Sequence, residues 1–300
     1  MNQISAKPSL ETIHEEITQL PMLPGILFQL MKFDPEDTEF YDHMLLLAKS
    51  DPPLAAFIIG YSNSALSSPN QKIDTLQKAL TRVGSRTIIE LLTALSVSKV
   101  FVPQKDEHKA IWRHSVEVAS FSAFLARLSP EEHLEPDSAY LSGLLHDIGR
   151  FVLFQIAPDA LNETDAKGWS TPDELISAEV ETVGFTHAKV GYLACVKLEI
   201  PKLISNIVRY HHNIGISYHP KAPKTLQDHC LVVQIADAIS VMLAKNPDWK
   251  NWSEENLKEN LLSFCINPKW DIQSMPINSI IPALPMLVEN AERTCESIGV

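Results

Sequence analysis

AYLSGLLHDIGR, residues Ala139–Arg150, is the stretch that decides how the rest of the chain is interpreted. An apolar helical run ends here in two adjacent side chains, His146 and Asp147, and each of them is able to bind a metal ion. A buried imidazole or carboxylate without a partner is costly, so this pair must be hydrogen-bonded, ion-paired or bound to metal. The stretch therefore predicts a polar site inside an otherwise apolar helical structure.

Four further apolar helical faces carry a His or an Asp. A spacing of three and four residues marks one face of a helix, and it groups these residues with apolar neighbours: His114 with Ile111, Val118, Phe121 and Leu125; His187 with Val190, Gly191, Ala194 and Leu198; His211 and the adjacent His212 with Ile204, Ile207 and Val208; and Asp237 with the apolar run 231–239. A single residue of this kind is most often a hydrogen-bonded core residue. Their repetition favours one shared polar pocket in a helical bundle.

The order of these residues along the chain resembles the HD superfamily of metal-dependent phosphohydrolases. In that resemblance the core set is His114, His146, Asp147 and Asp237. The additional His187, His211 and His212 resemble the expanded two-metal set of the HD-GYP phosphodiesterases. The resemblance thus implies a metal site formed by His114, His146, Asp147, His187, His211, His212 and Asp237.

The chemistry of these side chains agrees with such a site. Imidazole and carboxylate ligands together suit divalent transition metals, so we expect one or two ions of Fe, Mn, Zn, Co or Ni. A bridging carboxylate such as Asp147 is able to hold two metals roughly 3.5–4 Å apart, where they clamp the attacking and leaving oxygens of a phosphoester. If the protein is an enzyme, Asp147 is therefore a catalytic residue.

Two features depart from the phosphodiesterase pattern. Arg150 falls where HD-GYP enzymes carry a Lys; it would contact phosphate in an enzyme, but Arg and Lys are not equivalent there. After His211 and His212 the chain reads NIGISYHP, which contains no Gly-Tyr-Pro and no acidic residue. The substrate loop of those enzymes is therefore missing, and the metal pocket is expected to persist without cyclic-dinucleotide chemistry.

Short motifs in the first third of the chain point to a more specific relative. They are LPMLP at 20–24, DPPL at 51–54, NSA at 63–65 and IDTLQKALTRVG at 73–84. Their order, and their position before the His-Asp pair, resembles the HDOD domain, an HD-related output domain of bacterial signalling proteins. The resemblance covers about Gln19 to His212, with Asp237 expected in the next helix.

Hydrophobic periodicity and the lack of alternating segments predict an all-α protein with two helical subdomains. We assign residues 1–104 to an N-terminal HDOD subdomain, 105–245 to an HD-like subdomain with the metal pocket, and 246–300 to a helical extension. In the N-terminal subdomain we predict a helix over Gly25–Phe33 after Pro21 and Pro24, a helix from Pro52 capped by Asp51, a helix capped by Asp74 or Thr75 that stops at Gly84, and a further helix that starts at Ser85. In the HD-like subdomain we predict a polar connector over Leu161–Thr171, a helix over Leu175–Val183 and a loop over Asn213–Thr225. In the extension we predict helices over Glu254–Phe264 and Ile277–Cys295, the second interrupted by Pro282 and Pro285. Asn63 is expected in a loop or cap, and His219 and His229 in exposed loops.

Composition limits the protein class. The chain has 300 residues, of which 45% are hydrophobic, so it is able to bury a sizeable core. It contains no uninterrupted apolar run of membrane-spanning length and no signal-peptide core, so we expect a cytoplasmic protein with no membrane span. The four cysteines have no CxxC spacing, which predicts reduced thiols, and Cys195 is expected to pack in the core and not to face the pocket. A net charge of −12 argues against general nucleic-acid binding.

Two classes of function follow. The first is a regulatory module of bacterial signal transduction that binds partner proteins, with a metal pocket in a structural or ligand-binding role. The second is a metal-dependent phosphohydrolase that acts on a nucleotide or cyclic nucleotide. The HDOD resemblance favours the first, the complete ligand set favours the second, and the missing Gly-Tyr-Pro loop weakens the second. No receiver or GGDEF-type sequence is attached, so we expect non-covalent signalling partners and allow for a nucleotide ligand.

Overall fold

A computed structural model describes residues 7–19, 39–50, 52–63, 73, 75–98, 101, 106–131, 133–169, 171–265 and 277–299. Within these ranges every regular element is a helix and there is no strand, which confirms the all-α prediction. The α-helices are α1 Leu10–Gln19, α2 Phe40–Ser50, α3 Pro52–Ser62, α4 Leu76–Val83, α5 Ser85–Ser98, α6 Asp106–Leu128, α7 Pro136–Leu145, α8 Ile148–Ile156, α9 Pro158–Ala166, α10 Pro172–Thr182, α11 His187–Lys197, α12 Lys202–Tyr210, α13 Lys224–Lys245, α14 Glu254–Cys265, α15 Ile277–Ile280 and α16 Leu284–Ile298. Short 3-10 helices occupy Ile214–Tyr218, Trp249–Asn251 and Ile281–Ala283.

The chain divides into two compact units. The smaller unit is Leu23–Val100 with Ser297–Gly299. Its described helices α2 to α5 share one core, which includes Phe40, Met44, Leu54, Ile58, Leu80, Ile88 and Leu92. Thr75 caps α4 by accepting a hydrogen bond from the Lys78 amide, and α4 ends at Gly84 with φ of 85°, so the predicted cap and stop are confirmed.

Asn63 has a more specific role than a loop residue. Its side-chain amide donates to the Ile73 carbonyl at 2.6 Å, and its Oδ1 accepts from the Ile73 amide at 2.7 Å. The side chain thus imitates a backbone pair and joins the end of α3 to the segment that precedes α4. The sequence motif containing Asn63 therefore has a structural explanation.

The larger unit is Met1–Met22 with Phe101–Glu296. Its long central helix α13 is buried along most of its length and packs against α6, α7 and α12. Among the described helices, α13 alone is long and apolar enough to cross a membrane, but 78% of its apolar window is buried inside the protein. This packing is that of a core helix in a bundle.

The structure corrects two predicted connecting segments in this unit. Residues 161–166 belong to α9 and not to a connector, because Ala160, Leu161 and Thr164 form a buried helical face and only the opposite side is polar. Residues predicted as one loop over Asn213–Thr225 include the 3-10 helix Ile214–Tyr218 and the start of α13.

The prediction of an exposed loop for His229 is wrong. His229 lies in α13 and is 1% exposed, and its Nδ1 donates to the Thr225 carbonyl at 2.8 Å. It lies beside Leu226 and Cys230 on a buried face, so helical periodicity and not local polarity decides its environment. His219, by contrast, is exposed in the segment before α13.

Most of the remaining local predictions are confirmed. Helix α14 occupies the predicted position, and Pro282 interrupts the last predicted helix by placing a 3-10 turn between α15 and α16. Pro285 is in the first turn of α16, where a proline is tolerated. Cys195 is fully buried, and burial raises the pKa of its thiol to about 12. The predictions for Pro21, Pro24, Gly25–Phe33 and Asp51 lie outside the described residues.

Candidate metal centre

Five parts of the larger unit deliver the polar side chains. His114 comes from α6 and Asp237 from α13. The turn between α7 and α8 supplies His146 and Asp147. His187 is the first residue of α11, and His211 and His212 follow the end of α12. The fold brings all seven sequence-predicted residues together.

Two close helix contacts place the His146–Asp147 turn. Gly143 on α7 faces the backbone of Ala119 on α6, where an added Cβ would lie 2.8 Å from the Ala119 nitrogen. Gly149 on α8 meets α11 even more closely, because a Cβ there would lie 1.9 Å from the His187 carbonyl oxygen and 2.6 Å from the Gly191 nitrogen. Only glycine permits this approach. As a result, Asp147 reaches the start of α11.

Asp147 lies between two groups of imidazoles. Its Oδ1 is 3.1 Å from Nε2 of His187 and 3.8 Å from Nε2 of His211. Its Oδ2 is 3.7 Å from Nε2 of His146 and 3.9 Å from Nε2 of His114. The two oxygens of one carboxylate therefore face different groups, which is the arrangement required of a bridging ligand.

Each group is completed by a further side chain. In the first, which we name the α11 group, His212 joins Asp147, His187 and His211, with its Nε2 3.0 Å from Nε2 of His187. The second, which we name the α6 group, consists of His114, His146 and Asp237; Oδ1 of Asp237 is 3.2 Å from Nε2 of His114. Both groups offer the imidazole and carboxylate donors that divalent transition metals prefer.

Hydrogen bonds on the far side of the rings fix which nitrogen faces the pocket. Nδ1 of His146 is 2.7 Å from the Gly143 carbonyl oxygen, and Nδ1 of His211 is 2.7 Å from the Val208 carbonyl oxygen. A carbonyl only accepts, so both Nδ1 atoms carry the hydrogen. The neutral rings therefore present the lone pair of Nε2 to the pocket, as metal-ligating histidines do.

Two supporting side chains, Ser240 of α13 and Glu117 of α6, complete this pattern. Nδ1 of His114 is 2.9 Å from Oγ of Ser240, and the Ser240 hydroxyl donates to Glu117 at 2.6 Å. Because the hydroxyl hydrogen is used on Glu117, the His114 Nδ1–H donates to Ser240. Nothing in the local sequence around these two residues pointed to the site, since both look like ordinary helix residues.

The pocket-facing nitrogens lie close together in pairs. Nε2 of His114 is 3.2 Å from Nε2 of His146, and Nε2 of His187 is 3.2 Å from Nε2 of His211. Two lone pairs at this distance repel each other unless a proton or a metal cation lies between them. The residues of both groups therefore fit a divalent cation, and when bound it would supply positive charge that polarises a phosphoryl or carboxyl oxygen.

The pKa values separate ligands that are ready to bind metal from ligands that retain a proton. Burial, reinforced by neighbouring imidazoles, holds the pKa of His211 and the pKa of His212 well below the usual range. Burial alone would raise the pKa of Asp147, but the imidazoles of His146 and His187 hold it well below its usual value. For His187, burial is outweighed by Glu179 and Asp147, which raise its pKa to about 10. For His114, burial is likewise outweighed by Asp237 and Asp147, which raise its pKa.

Glu179 on α10 is a buried residue that sequence reasoning missed. Its carboxylate accepts from Nδ1 of His187 at 2.7 Å and from the His187 backbone amide at 2.9 Å. It is completely buried, and Nη1 of Arg150 lies 3.6 Å from it. Glu179 interrupts the apolar face of α10 eight residues before His187, and this interruption is the sequence feature that could have identified it as part of the site.

Arg150 lies behind Glu179. Its Nη2 donates to both oxygens of Asp165 at 2.7 and 2.8 Å, and the side chain is 8% exposed. Two carboxylates thus surround the guanidinium. The resulting chain of contacts, from Asp165 through Arg150 and Glu179 to His187, orients the imidazole from outside the pocket.

A third group of potential ligands lies elsewhere and was not expected from the sequence. Its members are Glu131, His133 and Asp228. Nε2 of His133 is 2.7 Å from Asp228, and the Lys224 ammonium is 2.7 Å from the other oxygen of the same carboxylate. Asp228 already has two partners of positive or donor character, so this group is explained as an ion-pair cluster.

Replacing Glu179 with glutamine is expected to lower metal affinity by about 10- to 100-fold, the usual cost of losing an outer-shell partner of a ligating histidine. The neutral amide no longer balances Arg150 and no longer favours the Nδ1–H form of His187. Affinity is measured by competition with a chelator. The control Glu181→Gln lies on the same helix with an exposed side chain and should match wild type. Equal affinity for Glu179→Gln and wild type would contradict the proposed support.

Metal affinity is expected to rise with pH. A proton and a metal ion compete for Nε2 of His187, whose pKa is raised to about 10, so the proton must leave at neutral pH. Each displaced proton strengthens apparent affinity about tenfold per pH unit. Conversely, the stability that protonated His187 contributes to the metal-free protein is fully present below about pH 6.5 and is lost as pH rises through about 10.

Calorimetry in buffers of different ionisation enthalpy measures the protons released on binding. We expect a release of about one proton or more near neutral pH. An affinity that stays constant between about pH 6 and pH 8 would contradict this expectation, because neutral ligands would then already be present throughout that range.

Comparison with known proteins places the chain in a family. It is 26% identical over 257 residues to an uncharacterised protein of Treponema pallidum (strain Nichols). The aligned region covers 84% of this chain and 47% of that protein, so the chain spans about half the length of this relative. Its structure is similar to a candidate phosphohydrolase from Shewanella amazonensis SB2B, with a TM-score of 0.66 and 18% identity over 95% of this chain and 97% of that one.

Two further solved structures show the same fold. One is an HDOD domain protein of unknown function from Geobacter sulfurreducens, with a TM-score of 0.64 and 18% identity over 95% of this chain and 99% of that one. The other is a candidate signal transduction protein from Marinobacter aquaeolei VT8, with a TM-score of 0.63 and 16% identity over 96% of this chain and 63% of that one. The sequence profile of the HDOD domain matches residues 20–214, and the chain therefore belongs to the HDOD domain family.

Proposed function

We propose that this protein is a regulatory module of signal transduction whose HD-type pocket holds two divalent metal ions and which acts through partner proteins. The observation that carries the proposal is the position of Asp147, whose two oxygens face separate groups of imidazoles. Such a carboxylate is suited to bridging two cations. Of the other six ligands, the three in the α11 group would hold one ion and the three in the α6 group would hold the other. The hydrogen bonds at Nδ1 of His146 and His211 already orient those two rings.

Two observations favour regulation over turnover. The Arg150 guanidinium forms ion pairs with Asp165 and Glu179, which favours a role in supporting His187. The segment after His212 forms a 3-10 helix over Ile214–Tyr218 and carries no acidic residue. Membership of the HDOD family and the candidate signal transduction protein among the structural relatives support this proposal.

The alternative is a metal-dependent phosphohydrolase. A specific observation favours it, because a cavity of about 500 Å³ reaches His212 from the surface and would admit a small substrate to the α11 group. With metal bound, Asp147 would be the residue that holds both cations at the reacting phosphate, and its loss would remove that activity. The two proposals share the pocket and differ in turnover.

Elemental analysis and hydrolysis assays on the same protein separate the two proposals. We expect the purified protein to bind Fe, Mn, Zn or Ni and to show no turnover of cyclic dinucleotides or generic phosphoesters above background. The double variant His146→Ala with Asp147→Ala should lose metal and thermal stability, because Asp237 would keep a buried charge with fewer partners. Metal-dependent turnover by wild-type protein that disappears in a folded double variant would establish the phosphohydrolase instead.

A further inference from the structure

A surface cavity of about 500 Å³ lies beside the α11 group. His212 is the residue that belongs to both, since it lines the cavity and its Nε2 is 3.0 Å from Nε2 of His187. The remaining walls come from the start of α10, the start of α11, the end of α12 and the 3-10 helix; they include Arg209, Asn213, Ile214, Tyr218, Ile176 and Asp173. A cavity of this volume is in the range of small-molecule sites.

Arg209, near the end of α12, is the basic side chain of this wall and precedes His212 by three residues. Both Arg209 and His212 line the cavity. The guanidinium carbon lies 4.9 Å from the Tyr192 ring centre and 5.3 Å from that of Tyr210. Within the part of the chain that the structure describes, no carboxylate forms an ion pair with Arg209. The two aromatic rings hold the charge in place and leave its donors available.

The part of the wall formed by the segment 213–218 is held in one conformation by Gln234 of α13. Its side-chain amide donates to the Asn213 carbonyl at 3.1 Å, and its Oε1 accepts from the Ser217 hydroxyl at 2.7 Å. Gln234 is 5% exposed, so these bonds are shielded from water. The segment 213–218, which contains no Gly-Tyr-Pro, is thus a preorganised part of the cavity wall.

Polar groups on this segment converge over Gly215. A Cβ at Gly215 would lie 3.0 Å from Oδ1 of Asn213 and 3.9 Å from the Tyr218 hydroxyl. The cavity therefore combines one permanent positive charge, an amide, a phenol and the aliphatic side chains of Ile176 and Ile214. Asp173 adds a carboxylate to the wall, which disfavours a ligand with several negative groups.

We propose that this cavity binds a small phosphorylated ligand of mononucleotide size, with Arg209 as the residue that recognises its phosphate next to His212 and the metal centre. The planar part of the ligand lies against Ile214 and Tyr218. The proposal rests on the metal centre of the proposed function and adds the ligand class. Arg209, and not Arg150, supplies the cation, because Arg150 is already enclosed by Asp165 and Glu179.

The test uses the full chain loaded with metal, and AMP and GMP as probes, in titration calorimetry. We expect at least one of the two nucleotides to bind, and adenosine or guanosine to bind about tenfold more weakly or worse, because they lack the phosphate. Arg209→Gln should weaken nucleotide binding by about 10- to 100-fold, the loss typical of a charge-assisted hydrogen bond. The control Lys202→Gln removes the same charge from an exposed position on the same helix and should change affinity less than about twofold.

Metal content and thermal stability are measured on every sample. Nucleotide binding that depends on Arg209 but not on Lys202 supports the proposal. The same result in protein that carries no metal still supports the ligand proposal, and only the proposed metal centre then fails. Failure of both nucleotides to bind metal-loaded protein overturns the ligand proposal and leaves the metal centre standing. Equal losses in Arg209→Gln and Lys202→Gln also overturn it, because the effect would then be one of general charge.

Discussion

Gly149→Ala is expected to be among the most damaging single substitutions in the protein, with a loss of about 3 kcal/mol or more in the free energy of unfolding or a failure to fold. The added methyl would lie 1.9 Å from the His187 carbonyl oxygen and 2.6 Å from the Gly191 nitrogen. Both are backbone atoms at the start of a buried helix, so they are unable to move aside as a side-chain tip would. Helices α8 and α11 must separate, and Asp147 moves away from His187.

Denaturation followed by circular dichroism measures this loss. Gly60→Ala is the matched control, since Gly60 lies within α3 and a Cβ there meets nothing within 4 Å. Alanine favours a helix interior over glycine by about 0.5–1 kcal/mol, so the control should be neutral or slightly stabilising. A Gly149→Ala protein as stable as wild type would show that the two helices do not approach each other as described.

Asp147→Asn is expected to reduce bound metal to less than about a tenth of the wild-type value, since an amide is a poor bridge between two cations. The substitution retains the size of the side chain and removes its charge. It also removes the carboxylate that faces His187, His211, His146 and His114 together. The loss should therefore affect both metal positions and not one alone.

Elemental analysis after dialysis provides the measurement, with Asp159→Asn on an exposed position of α9 as the control. Asp237→Asn offers a sharper comparison, because Asp237 belongs only to the α6 group. We expect that variant to lose the ion of the α6 group and to retain the ion of the α11 group. If Asp147→Asn and Asp237→Asn lost the same single ion, Asp147 would be an ordinary ligand and not a bridge.

Much of the local structure was accessible from the sequence because it depends on neighbours along the chain. The apolar spacing around His114 and Asp237 predicted the helices that carry them, and Thr75 and Gly84 marked the ends of α4. Where a prediction was wrong, a polar sequence concealed a buried face. The polar neighbours of His229 and of residues 161–166 suggest loops, but helical spacing decides that these residues lie in α13 and α9.

The position of Arg150 shows why side-chain roles were harder to predict than elements. From the sequence, Arg150 follows Asp147 by three residues and is a natural candidate for contact with phosphate. Its direction is set by Asp165 and Glu179, which lie on two other helices. No local pattern links these residues, because the ion pairs form only when α8, α9 and α10 are assembled.

By itself, the sequence determined the helical class and the chemical identity of the side chains at the pocket, since both depend on residue type and short-range spacing. The tertiary structure alone decided that Oδ1 and Oδ2 of Asp147 face different imidazole groups, because the rings of His114, His187 and His211 come from α6, α11 and the end of α12. It also decided which nitrogen faces inward in His146, His211 and His187, through two backbone carbonyls and the Glu179 carboxylate. Such contacts depend on how helices distant in sequence pack, and at Gly149 that packing depends on the absence of a single methyl group.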